Sequence, residues 1–231
     1  MFQTIFVLDI FDGIVVHAKN KNRDEYQPVH KFSTICNKSD PISVIDTVNP
    51  KKVYIADLNV LQGKGKNDIN FKVIKDISKK SEIMLDTGIS SYLDVENSIS
   101  RADILVLGTE TASLEIMLHA AKKYPNKISV SIDIINGKIL TKDSNMPNDL
   151  FKIIECLNEV KLKNIIILDM DKVGMSSGID MNFLNKVVKQ SKADILLGGG
   201  VRDMTDIELL KQIGVKGALI ATAIHKNLIQ V

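Results

Sequence analysis

Two aspartates end similar apolar runs in the two halves of the chain. Asp9 lies in LDIFDGIVV, residues 8–16, and Asp133 lies in IDIINGKIL, residues 132–140. Two carboxyl groups that face one ligand can act as acid and base: one donates a proton to a sugar ring oxygen while the other removes a proton from the neighbouring carbon. This chemistry requires different pKa values, which unequal burial can produce. The alternative is that each aspartate only caps its own loop by accepting backbone N–H groups.

A run of three glycines, Gly198–Gly200, follows an apolar run and precedes a stretch with helical spacing. Glycine lets a loop expose its backbone N–H groups, and a helix N-terminus adds a partial positive charge, a combination that suits phosphate. We therefore predict that Gly199 and Gly200 bind a phosphate. The small side chains of Ala221 and Thr222 would complete this site. The alternative is that the glycines only allow a tight turn.

The first half of the chain has small residues at the matching positions. Gly88, Gly108 and Thr109 follow two further apolar runs. They predict a second phosphate site opposite the first, so that a ligand with a phosphate at each end would fit. His17, eight residues after Asp9, is a weaker candidate for contacting a phosphate or carboxylate, with an ordinary surface position as the alternative.

Eight short apolar runs recur along the chain, with helical spacing between most of them. They are apolar almost throughout, which is typical of parallel strands covered on both faces. Eight units in 231 residues leave about 29 residues each, close to the repeat of a (β/α)8 barrel. An open doubly wound sheet is the alternative, but DIFDGIVV follows the first run where that fold has GxGxxG. We therefore predict an α/β fold of the (β/α)8 TIM barrel type. The predicted strands are 4–9, 53–57, 82–86, 103–107, 128–133, 164–169, 194–197 and 217–221. The predicted helices are 68–78, 92–100, 113–124, 148–160, 182–190 and 205–213.

Four successive strand ends in the first half match four in the second half, at an offset near 112 to 124 residues. A match in the same order predicts a barrel built from two homologous half-barrels, approximately residues 1–125 and 126–231, within a single domain spanning 1–231. Strands 1 and 5 lie across an eight-stranded barrel from each other. Asp9 and Asp133 are therefore predicted to face each other at the carboxyl ends of the strands.

Composition argues against several classes of partner. The chain has 30 basic and 28 acidic side chains and a formal net charge of +2, which gives no basis for binding nucleic acid or an anionic membrane. No apolar stretch approaches the roughly 20 residues of a membrane span. The two cysteines, Cys36 and Cys156, lie far apart and form no CxxC pair. We therefore predict neither a disulfide nor a metal site, and we expect the protein to be cytoplasmic.

Two loops could close over a ligand, Arg23–Tyr26 and Asp171–Gly178. The alternative for the first loop is that it is only a solvated surface.

Together these motifs resemble the histidine-biosynthesis barrels, a family that includes the phosphoribosylformimino-aminoimidazole carboxamide ribotide isomerase and the cyclase subunit of imidazole glycerol phosphate synthase. The resemblance runs from residue 4 to about 225. It implies a bisphosphorylated substrate, no metal or organic cofactor, and an Amadori-type aldose–ketose rearrangement. On this model Asp9 is the general base and Asp133 the general acid, and Asp169 joins the binding residues. The segments that carry the resemblance are 9–16, 56–58, 88–89, 107–109, 131–133, 169–174 and 198–201.

The chain departs from this family in three places. Asp86 and Ser90 stand in the strand-3 loop where the isomerase has glycine and arginine, Leu168 replaces a threonine, and there is no tryptophan. An added carboxylate repels phosphate, so the second phosphate site is expected to be weaker. We expect a divergent isomerase acting on a phosphoribosyl-type aminosugar phosphate. The alternatives are a phosphosugar cyclase or lyase that works with a partner protein, and a non-catalytic barrel that binds a phosphoribosyl ligand. The sequence does not determine the oligomeric state.

Overall fold

The computed structural model, which describes residues 1–18, 26–63 and 69–231, contains a closed barrel of eight parallel strands. Each strand pairs with the next in chain order, and the last pairs with the first from Gln3 opposite Gly217 to Phe6 opposite Ile220. This closure confirms the predicted (β/α)8 barrel, and all eight predicted strands are present. The barrel strands are β1 Gln3–Phe11, β2 Lys52–Asp57, β3 Glu82–Asp86, β4 Ile104–Gly108, β5 Ile128–Ile135, β6 Asn164–Asp169, β7 Asp194–Gly198 and β8 Gly217–Ile220.

A helix follows each strand, and most of these helices begin at a side-chain cap. Asp203, for example, accepts the backbone N–H groups of Thr205 and Asp206 at the start of α7. The sequence prediction missed the first helix, although Asp40 as N-cap and Pro41 as first residue are a standard start signal. It also missed two four-residue helices, one at the end of the chain and one at Leu58–Leu61. The helices that follow the strands are α1 Pro41–Val48, α2 Phe71–Ile77, α3 Tyr92–Ser98, α4 Leu114–Lys123, α5 Leu150–Leu157, α6 Met181–Gln190, α7 Met204–Gln212 and α8 Thr222–His225.

Side chains alternate between the barrel interior and the layer under the helices, because successive residues of a strand point to opposite faces. In β1, Ile5 and Val7 pack inside the barrel, whereas Phe6 and Leu8 pack against the helices. The same alternation directs the last inward position of a strand towards the barrel mouth. Asp9 occupies an inward position near the end of β1, two residues before Phe11, and Asp133 occupies one near the end of β5, two residues before Ile135. The strand period therefore brings the two predicted acid–base residues to the same end of the barrel.

The glycines of the two repeated motifs lie in hairpin turns. Asp12 and Gly13 have φ angles of 49° and 78°, and Asn136 and Gly137 have φ angles of 51° and 69°. Two successive positive φ angles are the signature of a type I′ turn, which favours Asn-Gly and Asp-Gly. Each turn leads into a short antiparallel strand, Ile14–His17 after β1 and Lys138–Ile139 after β5. This part of the repeated motif is explained by backbone geometry rather than by chemistry.

Some predictions fall outside the described residues. Arg23, Asp24 and Glu25 of the predicted first-loop cluster lie there, as does Asp68 at the start of the predicted second helix. The division into two half-barrels within a single domain stays a prediction. None of the helices in the described ranges is long and apolar enough to cross a membrane.

Candidate functional site

The main cavity opens at the carboxyl ends of the barrel strands. Including its open mouth it encloses about 1050 Å³, enough for a sugar phosphate. Its floor is apolar and includes Val7 and Leu219, while its wall carries carboxyl groups and glycines. In a (β/α)8 barrel this end is where active sites are built. Six of the predicted site residues line the cavity: Asp9, Asp133, Gly199, Gly200, Ala221 and Thr222.

Asp133 is a buried carboxyl group of the cavity with a strongly shifted pKa. Only 5% of its surface is exposed, and burial raises its pKa to about 7. The Ser131 hydroxyl donates to Asp133 Oδ1 at 2.6 Å and the Glu110 backbone N–H donates to Oδ2 at 3.2 Å, and both bonds act to lower the pKa. The negative charge of Asp86 raises it. Near neutral pH this carboxyl group is therefore present both as a proton donor and as a carboxylate.

Two residues predicted to bind a phosphate instead contact Asp133. Thr109 Oγ1 accepts the backbone N–H of Asp133 at 3.0 Å, and Thr109 is itself 1% exposed. A Cβ atom placed on Gly108 would lie 2.9 Å from Asp133 Oδ2, so only glycine leaves room for the carboxyl group in this position. Neither residue is among those that line the cavity. In this structure Gly108 and Thr109 serve to position the Asp133 side chain.

Tyr54 and Asp86 form a hydrogen-bonded pair in the cavity wall that the sequence analysis did not connect. The Tyr54 hydroxyl donates to Asp86 Oδ2 at 2.8 Å, and both side chains are buried. Burial raises the pKa of Tyr54 well above its usual range, and the charges of Asp86, Asp133 and Asp9 raise it further. Tyr54 thus lies within the field of all three carboxyl groups. The strand alternation could have identified it, since Tyr54 and Ala56 are the inward residues of β2.

The glycine loop after β7 is held in a conformation that favours glycine. Gly199 and Gly200 have φ angles of 87° and 88°. A Cβ on Gly200 would lie 2.8 Å from the carbonyl oxygen of Gly178 and 3.2 Å from Lys172 Cδ. The Gly178 backbone N–H also donates to the Gly200 carbonyl at 3.0 Å. The loop after β6 therefore packs directly on the glycine loop and brings Lys172 beside it.

Three predicted binding residues lie away from the main cavity. Gly88 lines a separate pocket between β2 and β3. The buried His17 ring stacks on Phe32 with a centroid distance of 3.7 Å. Asp169 lies beside Lys172, with 3.4 Å between its Oδ2 and Lys172 Nζ, and lines a small pocket on the outer side of the β6 end. Gly88, His17 and Asp169 are therefore not among the residues that line the cavity with Asp9 and Asp133.

The cavity has no evident arrangement for a metal ion. Across residues 1–18, 26–63 and 69–231, no three His, Cys, Asp or Glu side chains are grouped closely enough to hold one. His225, at the end of α8, packs against Phe6 and is buried; its Nδ1 lies 3.0 Å from Ser33 Oγ, and burial lowers its pKa to about 4. Among the described residues that line the cavity, the groups able to exchange protons are four carboxyl groups, two tyrosines and Lys172.

The chain is thus a closed (β/α)8 barrel with a buried, pKa-shifted carboxyl group in a cavity at the carboxyl ends of its strands, the end where barrel enzymes build their active sites. The chain belongs to the histidine biosynthesis protein family, whose model matches residues 3–230. An uncharacterized protein of Methanocaldococcus jannaschii is 36% identical over 229 residues, covering 96% of this chain and 93% of that protein.

Two bacterial relatives carry the name 1-(5-phosphoribosyl)-5-((5-phosphoribosylamino)methylideneamino)imidazole-4-carboxamide isomerase. The protein from Ruminiclostridium cellulolyticum is 29% identical over 225 residues, covering 94% of this chain and 92% of its own. The protein from Clostridium novyi is 30% identical over 183 residues, covering 76% of this chain and 75% of that protein. Both matches agree with the resemblance found in the sequence motifs.

Proposed function

We propose that this protein is an aldose–ketose isomerase that acts on a phosphorylated aminosugar, with Asp133 as general acid and Asp9 as general base. The observation that carries the proposal is the placement of two inward carboxyl groups, at the ends of strands 1 and 5, on one cavity. Asp133 is buried and has a pKa raised to about 7, whereas Asp9 is half-buried. An acid–base pair requires such a difference in environment.

The proposed reaction begins with a sugar whose C1 carries an amine. Protonated Asp133 gives its proton to the ring oxygen as the bond between C1 and that oxygen breaks, leaving a C1 iminium. Asp9 then removes the proton from C2, and the electron pair of that bond forms the enolamine. Return of a proton to C1 and loss of the C2 hydroxyl proton give the 1-amino-2-ketose. The overall reaction is an isomerisation, so it consumes no oxidant or co-reactant.

The phosphate of the substrate would bind at the glycine loop after β7. Gly199 and Gly200 place their backbone beside the cavity, and Lys172 supplies a positive charge at the same end. Ala221 and Thr222, at the start of the four-residue helix α8, line the same cavity with small side chains. The names of the isomerase relatives support a phosphoribosyl compound as the source of this phosphate.

The test is a turnover assay with the imidazole ribotide named for the relatives and a panel of phosphorylated aminoaldoses. We expect the wild-type protein to form a ketose product, and Asp9→Asn and Asp133→Asn each to lose most turnover while ligand affinity stays within about tenfold, roughly 1.4 kcal/mol. Asp149→Asn is the matched control, because Asp149 is an exposed helix cap and asparagine caps equally well. Wild-type turnover by either site variant would refute the acid–base assignment. Ligand binding without any ketose formation would instead favour a binding protein.

A further inference from the structure

The loops after β3 and β7 occupy matching positions in the two halves but differ in their charged side chains: the β3 loop has Asp86 where the β7 loop has Gly198, and Ser90 where the β7 loop has Arg202. The β7 loop reads Gly198-Gly199-Gly200, whereas the β3 loop reads Asp86-Thr87-Gly88. Asp86 Oδ1 accepts the backbone N–H of Gly88 at 2.9 Å. In the β3 loop, the Asp86 carboxylate therefore already accepts the Gly88 N–H group. The matching N–H group in the β7 loop is that of Gly200, and position 198 there has no side chain to accept it.

The two loops share one backbone hydrogen bond, although Ser90 stands in the β3 loop where Arg202 stands in the β7 loop. The Ser90 backbone N–H donates to Asp94 at 3.0 Å, and the Arg202 backbone N–H donates to Asp206 at 2.9 Å. In both halves the bond spans four residues, and the acceptor is an aspartate in the first turn of the following helix. The backbone is therefore held in the same way at this point of both loops, and the β3 loop differs by the added carboxylate of Asp86 and by Ser90 in place of an arginine.

The neighbouring loop after β4 also directs its backbone N–H groups to acceptors of the chain. Thr109 donates to the Ser131 carbonyl at 2.9 Å, and Glu110 donates to Asp133 Oδ2 at 3.2 Å. These N–H groups on the β3 and β4 side are therefore already bonded within the chain.

The charges of the cavity wall have the same asymmetry. Asp86 is 9% exposed and lies in a wall that also carries Asp133 and Glu110. Among the described residues that line the cavity, Lys172 is the cation, and it lies beside Gly200. A phosphate dianion near Asp86 would face a buried carboxylate of the same sign, which is strongly unfavourable in a poorly solvated site.

We propose that the cavity accepts a sugar with a single phosphate, which binds at the β7 and β8 loops. The other end of this sugar, which lies next to Asp86 and Tyr54, is uncharged or cationic. This inference rests on the proposed phosphate site at Gly199 and Gly200. It differs from the substrate in the names of the isomerase relatives, which contain two phosphoribosyl groups. Asp86 is thereby the residue that selects against a second phosphate.

The probes are fructose 6-phosphate and fructose 1,6-bisphosphate, a matched pair that differs by one phosphate, with dissociation constants measured by calorimetry. We expect the wild-type protein to bind the bisphosphate no more tightly than the monophosphate. Asp86→Gly, which recreates the residue at position 198, should shift the preference towards the bisphosphate at least tenfold. Asp86→Asn keeps an oxygen for the Gly88 N–H and a partner for Tyr54 but removes the charge, so its shift should be smaller. Asp149→Asn should leave the preference unchanged.

The outcomes separate this inference from the proposed function. Wild-type protein that binds the bisphosphate tenfold more tightly than the monophosphate would overturn the single-phosphate inference and leave the phosphate site intact. An unchanged preference in both Asp86 variants would overturn the role of Asp86. If Gly200→Ala, whose Cβ would contact the Gly178 carbonyl, leaves monophosphate affinity unchanged, the phosphate site itself is wrong. If neither compound binds the wild-type protein, the phosphate site and the inference that rests on it are both refuted.

Discussion

Replacing Asp133 by asparagine should change how the stability of the protein depends on pH. The unfolded chain holds this carboxyl group at its ordinary pKa of 3.8, whereas burial raises the folded-state pKa to about 7. As pH rises from 4 to 8 the unfolded state releases the proton first, and the folded state must then accommodate a buried carboxylate. The wild-type free energy of unfolding therefore contains a contribution that is complete below pH 3.8 and is lost as pH rises through 7.

The magnitude follows from the two pKa values. Their difference is roughly 3, and each pKa unit corresponds to 1.36 kcal/mol, so the loss is about 4 kcal/mol. The asparagine variant cannot ionise and should not show this loss. Plotted against pH, the difference in unfolding free energy between variant and wild type should rise by about 4 kcal/mol from pH 4 to pH 8.

Urea unfolding followed by circular dichroism at several pH values would measure this difference. The change with pH is the informative quantity, because any hydrogen bond that asparagine loses at Ser131 or Glu110 shifts the whole curve by a constant amount. Asp149→Asn removes one exposed carboxylate and controls for the change in net charge. Parallel curves for wild type and Asp133→Asn would refute the buried, pKa-shifted state of Asp133, and with it the argument that this residue is a proton donor near pH 7.

Two further substitutions test how the Asp133 side chain is held. Ser131→Ala removes a 2.6 Å hydrogen bond to the carboxylate, worth roughly 1.5–3 kcal/mol, and should raise the Asp133 pKa by about 1 to 2 in a carbon-13 NMR titration; an unchanged titration would show that this bond does not stabilise the charged form. Gly108→Ala places a Cβ 2.9 Å from Asp133 Oδ2 and should lower kcat at least tenfold with KM changed less than threefold. Normal kcat in that variant would mean that the carboxyl position is not critical.

Patterns local to one strand predicted most of the fold. The predicted strands 82–86 and 164–169 have the same bounds as the structure, because an apolar run with polar ends marks a strand covered on both faces. The first helix was missed because it begins inside the long stretch after β1, where the Asp40-Pro41 signal was overlooked. Both outcomes depend on information within a few residues of the element itself.

Contacts between distant strands could not be predicted in the same way. The bond from Tyr54 to Asp86 joins residues 32 positions apart, and the limited space around Gly108 arises from Asp133 on the next strand. The sequence placed Gly108 and Thr109 at the correct strand end, but it could not show that their immediate neighbour is a carboxyl group. The position of Gly108 and Thr109 at a strand end was thus predictable. Whether they contact a ligand or support the Asp133 side chain could be decided only from the way neighbouring strands pair in the barrel.

The polar side chains that point inward near the barrel mouth support a chemical role for these positions more strongly than a structural one. Branched aliphatic side chains usually fill a barrel interior, as Ile5 and Leu196 do lower in this one. Near the mouth the same inward positions carry Asp86 and Asp133, and the raised pKa of Asp133 shows that its hydrogen bonds do not offset the cost of burying its charge. A carboxyl group needed only to close a loop could lie at the surface without this cost. Retaining a destabilising acid at the mouth of a cavity is what proton transfer to a bound sugar would require.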